Sequence, residues 1–196
     1  SQPIHIELLA EKNTVYSVVR RVAMDYCIPV TSGRGYSSLP PRNDIVKRFE
    51  KSGKDRLAII VVSDHDPDGA EIAHSFCRSI RDDFGIDGDR IIPHKAALTA
   101  EQVRDRDMPP SLDAKPSSPR YKRFVDEYGT DAYELEALEP DVLEQLVRDA
   151  VDGLIDHDLL EQERQQERED SAFLHGVHKH VRETMRGVED GMGGER

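Results

Sequence analysis

Six sheet-forming residues, Leu57 to Val62, run straight into Ser63-Asp64-His65-Asp66-Pro67-Asp68-Gly69. An unbroken apolar run of that length is the pattern of a strand covered on both faces, as in a parallel sheet. Past the turn, Ile72, Phe76 and Ile80 recur at helical spacing. The acids Asp64, Asp66 and Asp68 therefore sit where a buried strand emerges and becomes a helix. In open α/β sheets, ligands bind at the carboxyl ends of the strands. Two like charges about 4 Å apart repel by roughly 1 kcal/mol in water and about 4 kcal/mol at an effective dielectric near 20. Crowded carboxylates in a cleft thus call for a cation, a proton or good solvation. An all-oxygen donor set favours a hard ion such as Mg²⁺ (or Mn²⁺).

Other readings of the same turn compete. Asp and Gly are ordinary turn and capping residues, so a solvated strand-to-helix turn is one. The spacing D-x-D-x-D-G also opens a calcium loop, but its twelfth position is Ser75 rather than Glu and a strand precedes it. An aspartyl-phosphate phosphatase or receiver domain ends a strand with Asp as well, and stays open.

Elsewhere the chain alternates strand and helix. Ile4, Ile6 and Leu8 lead a first strand that ends at Glu11-Lys12-Asn13. Val15, Val18, Val19, Val22 and Ala23 predict a helix capped by Asn13 or Thr14. Cys27 to Thr31 reads as a second strand, followed by a polar loop holding Arg34 and Tyr36. Asn43 is placed to cap a helix burying Ile45, Val46 and Phe49. A fourth strand starts at Ile91, and Thr99-x-x-Gln102 is a capping box. Tyr121, Phe124, Val125 and Tyr128 predict a further helix closed by Gly129. Tyr133 to Leu138 alternates like a short strand, and a long amphipathic helix starts at Pro140. This order predicts an α/β fold: a mainly parallel four-stranded sheet with helices on both faces, plus a C-terminal helical arm. Residues 1–130 form the expected core, 131–190 an acidic arm and 191–196 a disordered tail.

The 196 residues carry a formal charge of −12, unevenly spread. Between Asp131 and Asp170 stand 15 acids against three bases, while the remainder balances at 24 of each. A phosphate-binding face on the first half is therefore compatible with the charge, drawing on Lys47, Arg48, Lys51, Lys54 and Arg56, or on Lys115, Arg120, Lys122 and Arg123. Ordinary solvated helix faces account for the same clusters. No stretch approaches the roughly 20 apolar residues that span a bilayer. Cys27 and Cys77 both fall at apolar positions and read as buried free thiols, which fits a cytoplasmic protein. Beyond the polar run Glu161 to Asp170, an apolar stripe of Phe173, Leu174, Val177, Val181 and Met185 needs cover, from the body or from a second chain as in a homodimer.

A glutamate ending the first strand with a following lysine, and Asp-x-Asp-x-x-Gly ending the third, resemble the Toprim domain. Topoisomerases of types IA and II, bacterial primases, OLD-type nucleases and the topoisomerase VI A subunit share that domain. The topoisomerase VI type is nearest: its turn also reads Asp-x-Asp-Pro-x-Gly, here Asp64, Asp66, Pro67 and Gly69. The Arg34 loop, the Leu98-Thr99 segment and Met108-Pro109-Pro110 are similar too. The Glu134 to Leu138 stretch resembles one in bacterial and phage Toprim proteins. The likeness spans roughly residues 4 to 155. It implies Mg²⁺ on Asp64 and Asp66, with Glu11 a further ligand or the general acid/base and Asp68 an outer candidate. Arg34, Lys12 and His65 become candidate phosphate or DNA contacts. The implied activity is cleavage of DNA, with or without religation. The topoisomerase VI relatives attack DNA with a tyrosine on an upstream winged-helix domain. Here Tyr16, Tyr26, Tyr121, Tyr128 and Tyr133 sit at core-like positions and Tyr36, in the glycine loop, is a poor candidate nucleophile, so a partner chain, an upstream segment or direct hydrolysis is the expectation. The alternatives are a catalytically incomplete Toprim module that binds DNA or a partner, and a phosphatase of small esters. His94 at the fourth strand and Glu136 also lie where they can approach the site, and His175, His178 and His180 cluster near the end.

Overall fold

A computed structural model of the chain describes residues 2–32 and 39–192. Its centre is strand β3 (Arg56–Val62), buried from Leu57 to Val62. β3 lies between β1 (Ile4–Ala10) and β4 (Ile91–Ala97), and β2 (Val30–Ser32) adds to the far side of β1. All three pairings are parallel.

Alternation along β3 sends side chains into two cores. Ala58, Ile60 and Val62 meet Val15, Val19 and Val22 of α1 (Asn13–Asp25) and Leu143, Val147 and Val151 of α6 (Pro140–Asp152). Leu57, Ile59 and Val61 meet Ile45, Val46 and Phe49 of α2 (Leu39–Ser52) and Phe76 and Ile80 of α3 (Ile72–Phe84). The chain is thus an α/β protein with a parallel sheet flanked by helices and followed by a C-terminal helix. Its capping box closes as the spacing requires: Thr99 Oγ1 accepts from the Gln102 amide and Gln102 accepts from the Thr99 amide, opening α4 (Ala100–Asp105).

The register fixes the functional edge. Ala10 pairs with Val62, so Glu11 and Ser63 leave the sheet at one level. The Glu11 amide donates to Val62 O at 2.9 Å, and the Ser63 amide to Ala97 O at 2.7 Å. Over this edge stands a lobe of β5 (Leu112–Asp113), α5 (Tyr121–Tyr128) and β6 (Asp131–Ala132), with β5 and β6 antiparallel.

Several local expectations change. Helix α2 starts at Leu39, ahead of Asn43, because Pro40 and Pro41 suit a first turn whose amides have no partner. β2 starts three residues late: Cys27 takes a left-handed φ of 54° and, with Ile28, caps the end of α1 on Met24 O and Ala23 O. Cys27 is consequently exposed, and only Cys77 is a buried thiol. Helix α1 has no side-chain cap from Asn13 or Thr14. Tyr133 to Leu138 is not a strand; Tyr133 forms an isolated bridge with His65, and Leu135–Ala137 makes a 3₁₀ turn.

The first compact unit runs Pro3–Ile155, past the boundary expected at 130, because α6 shares the core of α1. The second unit holds Gln2 and the segment from Asp156. Within it α7 (His157–Met192) takes up the polar run Glu161 to Asp170 and exposes Phe173, Leu174, Val177, Val181 and Met185. Gly191 and Met192 end that helix, and the rest of the expected tail lies outside the described residues. No described helix is long and apolar enough to cross a membrane.

Candidate active site

The acidic turn is a closed backbone device. Asp66 Oδ1 accepts from the Gly69 amide at 2.7 Å and the Asp68 amide at 3.1 Å, the local bonding for which Asp is favoured in turns. Ser63 Oγ donates to Gly69 O at 2.9 Å. Lys95 Nζ, rising from β4, donates to both Asp64 O (2.7 Å) and Gly69 O (2.9 Å). Gly69 has no room for a side chain: a Cβ there would lie 2.2 Å from the Asp64 carbonyl oxygen. The final glycine of the motif is thus required by close backbone approach.

Two acids from neighbouring strands converge above this turn. The Asp64 amide donates to Glu11 Oε2 at 3.3 Å. Asp64 Oδ1 accepts from the Leu135 amide at 2.9 Å, and Oδ2 pairs with Lys12 Nζ at 2.8 Å. Lys12 also reaches Glu136 at 2.9 Å and Glu134 at 3.3 Å, and Thr14 Oγ1 donates to Glu136 at 2.7 Å.

The charges are strongly coupled. Burial first, then the Asp64 carboxylate, lifts Glu11 to about 7; the Asp64 amide and Lys95 offset part of this. Burial raises Asp64 as well, against its bonds to Lys12 and the Leu135 amide. Burial pushes Lys95 down to about 8, although Glu11, Asp66 and Asp64 favour its charge. Burial alone lowers Lys12, but its hydrogen bonds to Asp64 and Glu136 outweigh that and hold it raised.

Other expected site residues lie elsewhere. Asp68 turns outward, accepting from Ser118 Oγ at 3.0 Å and Arg120 Nη1 at 2.8 Å. His65 is 5% exposed, its ring packed on Phe124 at 5.2 Å and Tyr128 at 4.9 Å. It is a buried ring packed against α5 rather than an exposed side chain at the acidic edge. Lys12 is engaged by carboxylates rather than left free for phosphate. His94 pairs with Ile60 inside the sheet, short of the edge. Arg34 and Tyr36 lie outside the described residues. Glu136 does approach the site, through Lys12.

Sequence reasoning missed Lys95, Glu134 and the lobe. The available signal for Lys95 was a lysine inside the run that pairs with the most buried strand. The lobe closes a cleft of about 70 Å³, walled by Lys12, Asp64 and Asp66 on one side and Leu112, Asp113, Lys115, Ala132, Tyr133 and Glu134 on the other.

As the side chains stand, no three carboxylate, histidine or thiol groups among the described residues gather as a metal site. The donor chemistry nonetheless suits a hard cation. Glu11 and Asp64 are crowded acids, both lifted by burial, and Glu11 has no ion pair among the described residues. No family model, curated protein or solved structure matches the chain.

Proposed function

We propose that this chain is a Toprim-type domain whose acidic edge carries out Mg²⁺-dependent phosphodiester chemistry on DNA. The observation that carries the reading is the register of β1 on β3, which sets Glu11 directly against Asp64. Asp64 and Glu11 hold the ion, with Asp66 contributing its free oxygen. Bound there, Mg²⁺ or Mn²⁺ supplies charge neutralisation for the phosphodiester. Without the ion Glu11 is lifted to about 7 and holds a proton near neutral pH; with the ion bound it gives up that proton and serves as a carboxylate ligand. Lys95 and Gly69 keep the turn in shape, and Lys12 supplies the balancing charge when the ion is away. The nucleophile is water or a hydroxyl from a partner chain or further segment. Tyr26 is committed elsewhere, donating to Asp152 at 2.7 Å.

A second reading, a DNA- or partner-binding module without cleavage, is favoured by one fact: Lys12 already satisfies Asp64. A plasmid-nicking assay with Mg²⁺ or Mn²⁺ separates the two. Asp64→Asn and Glu11→Gln are expected to lower the rate by about 10²-fold or more while leaving the fold intact. Binding without cleavage under every divalent ion supports the module. Nicking that survives both substitutions removes the assignment.

A further inference from the structure

The cleft over the acidic edge holds more negative than positive charge: Asp64, Asp66, Asp113 and Glu134 against Lys12 and Lys115. A phosphodiester entering it is repelled unless a cation meets it. Lys12 is already shared among Asp64, Glu134 and Glu136. The other bases of the lobe do not line the cleft: Arg120 pairs with Asp68 at 2.8 Å, Arg123 pairs with Glu71 at 2.9 Å, and Lys122 is exposed on α5. Lys115 alone lines the cleft with its ammonium committed to no carboxylate among the described residues.

Its backbone is fixed. Ala114, its neighbour, is buried and donates to Thr130 O at 2.7 Å. Lys115 O accepts from the Ser118 amide at 3.1 Å, and Pro116 follows. The cleft is small, about 70 Å³, and is lined mainly by charged and polar side chains.

We propose that Lys115 is a phosphate anchor: from the lobe, across from the carboxylates, it holds one backbone phosphate of a nucleic-acid strand. This rests on reading the edge as a phosphodiester site. Contact with a phosphate positions the strand and carries no base preference. Lys115 is therefore a positioning residue whose loss weakens binding alike for all sequences.

Fluorescence anisotropy of labelled oligonucleotides in Ca²⁺ buffer, across a salt series, tests it on the full chain. Lys115→Ala is expected to weaken binding about 3- to 10-fold at low salt and to cut the slope of log K against log salt by about 1. Lys115→Arg restores both, and Arg20→Ala on α1, outside the cleft, changes neither. In the nicking assay Lys115→Ala raises KM and spares kcat. A wild-type chain that binds while Lys115→Ala matches it in affinity and slope overturns this inference and leaves the edge assignment standing. A wild-type chain that binds no oligonucleotide removes both.

Discussion

Two acids four residues apart, Glu7 within strand β1 and Glu11 beyond its end, are treated in opposite ways by the fold. Glu7 is fully buried, yet Arg48 grips it with two bonds of 2.8 and 2.9 Å, and His5 Nε2 lies 2.9 Å away. Glu11 sits one step past the strand, faces the Asp64 carboxylate and receives one 3.3 Å bond from an amide. A buried carboxylate with a bidentate arginine is a structural element. One set against another acid, without an arginine, is poised for protons and cations. Partner, not burial, separates the two roles.

Removing the partner of Glu7 should have the largest effect. Arg48→Ala leaves a buried charge facing His5 alone and is expected to cost about 3–5 kcal/mol in urea unfolding. Replacing Glu7 and Arg48 together by methionine should cost far less. A loss under about 1 kcal/mol for Arg48→Ala would erase the contrast.

Glu11→Gln should act in the other direction. Glu11 is held at about 7 in the fold against an ordinary carboxylate value of 4.5. The folded state therefore binds this proton more tightly. The stability it contributes is full below pH 4.5 and is lost as pH rises through 7. In divalent-free buffer Glu11→Gln should flatten that fall and gain about 1–2 kcal/mol at pH 8. A flat wild-type profile between pH 5 and 8 would show Glu11 to be as well compensated as Glu7.

The smallest effect concerns His65, which sits beside the acids in sequence and in the core in space. Burial holds it down to about 4. Wild-type stability should thus fall as pH drops from about 6.5 toward 4, and His65→Phe should remove that loss. At pH 8 the variant should stay within about 1 kcal/mol of wild type, with oligonucleotide affinity unchanged. Weakened binding would return His65 to the phosphate contacts.

Much of the acidic edge was legible because its causes are local. The apolar run into Asp64, the helical spacing after it and the Gly69 turn are short-range patterns. His65 was misread from the same pattern, since adjacency in sequence hides that Phe124 and Tyr128 of α5 cover its ring. Tyr133 to Leu138 was misread because the Asp64 carboxylate draws the Leu135 amide into a 3₁₀ turn.

The amino-acid sequence by itself determined the parallel sheet, its two covered faces and the presence of acids at one edge, because period and turn chemistry follow from backbone geometry over a few residues. Only the tertiary structure decided which acids meet, which are neutralised and what stands over them. Lys12 finds Glu136 across 124 positions, and Asp64 finds the Leu135 amide across 71. Contacts at such separations arise from how the strands close on one another, and no short-range pattern records that.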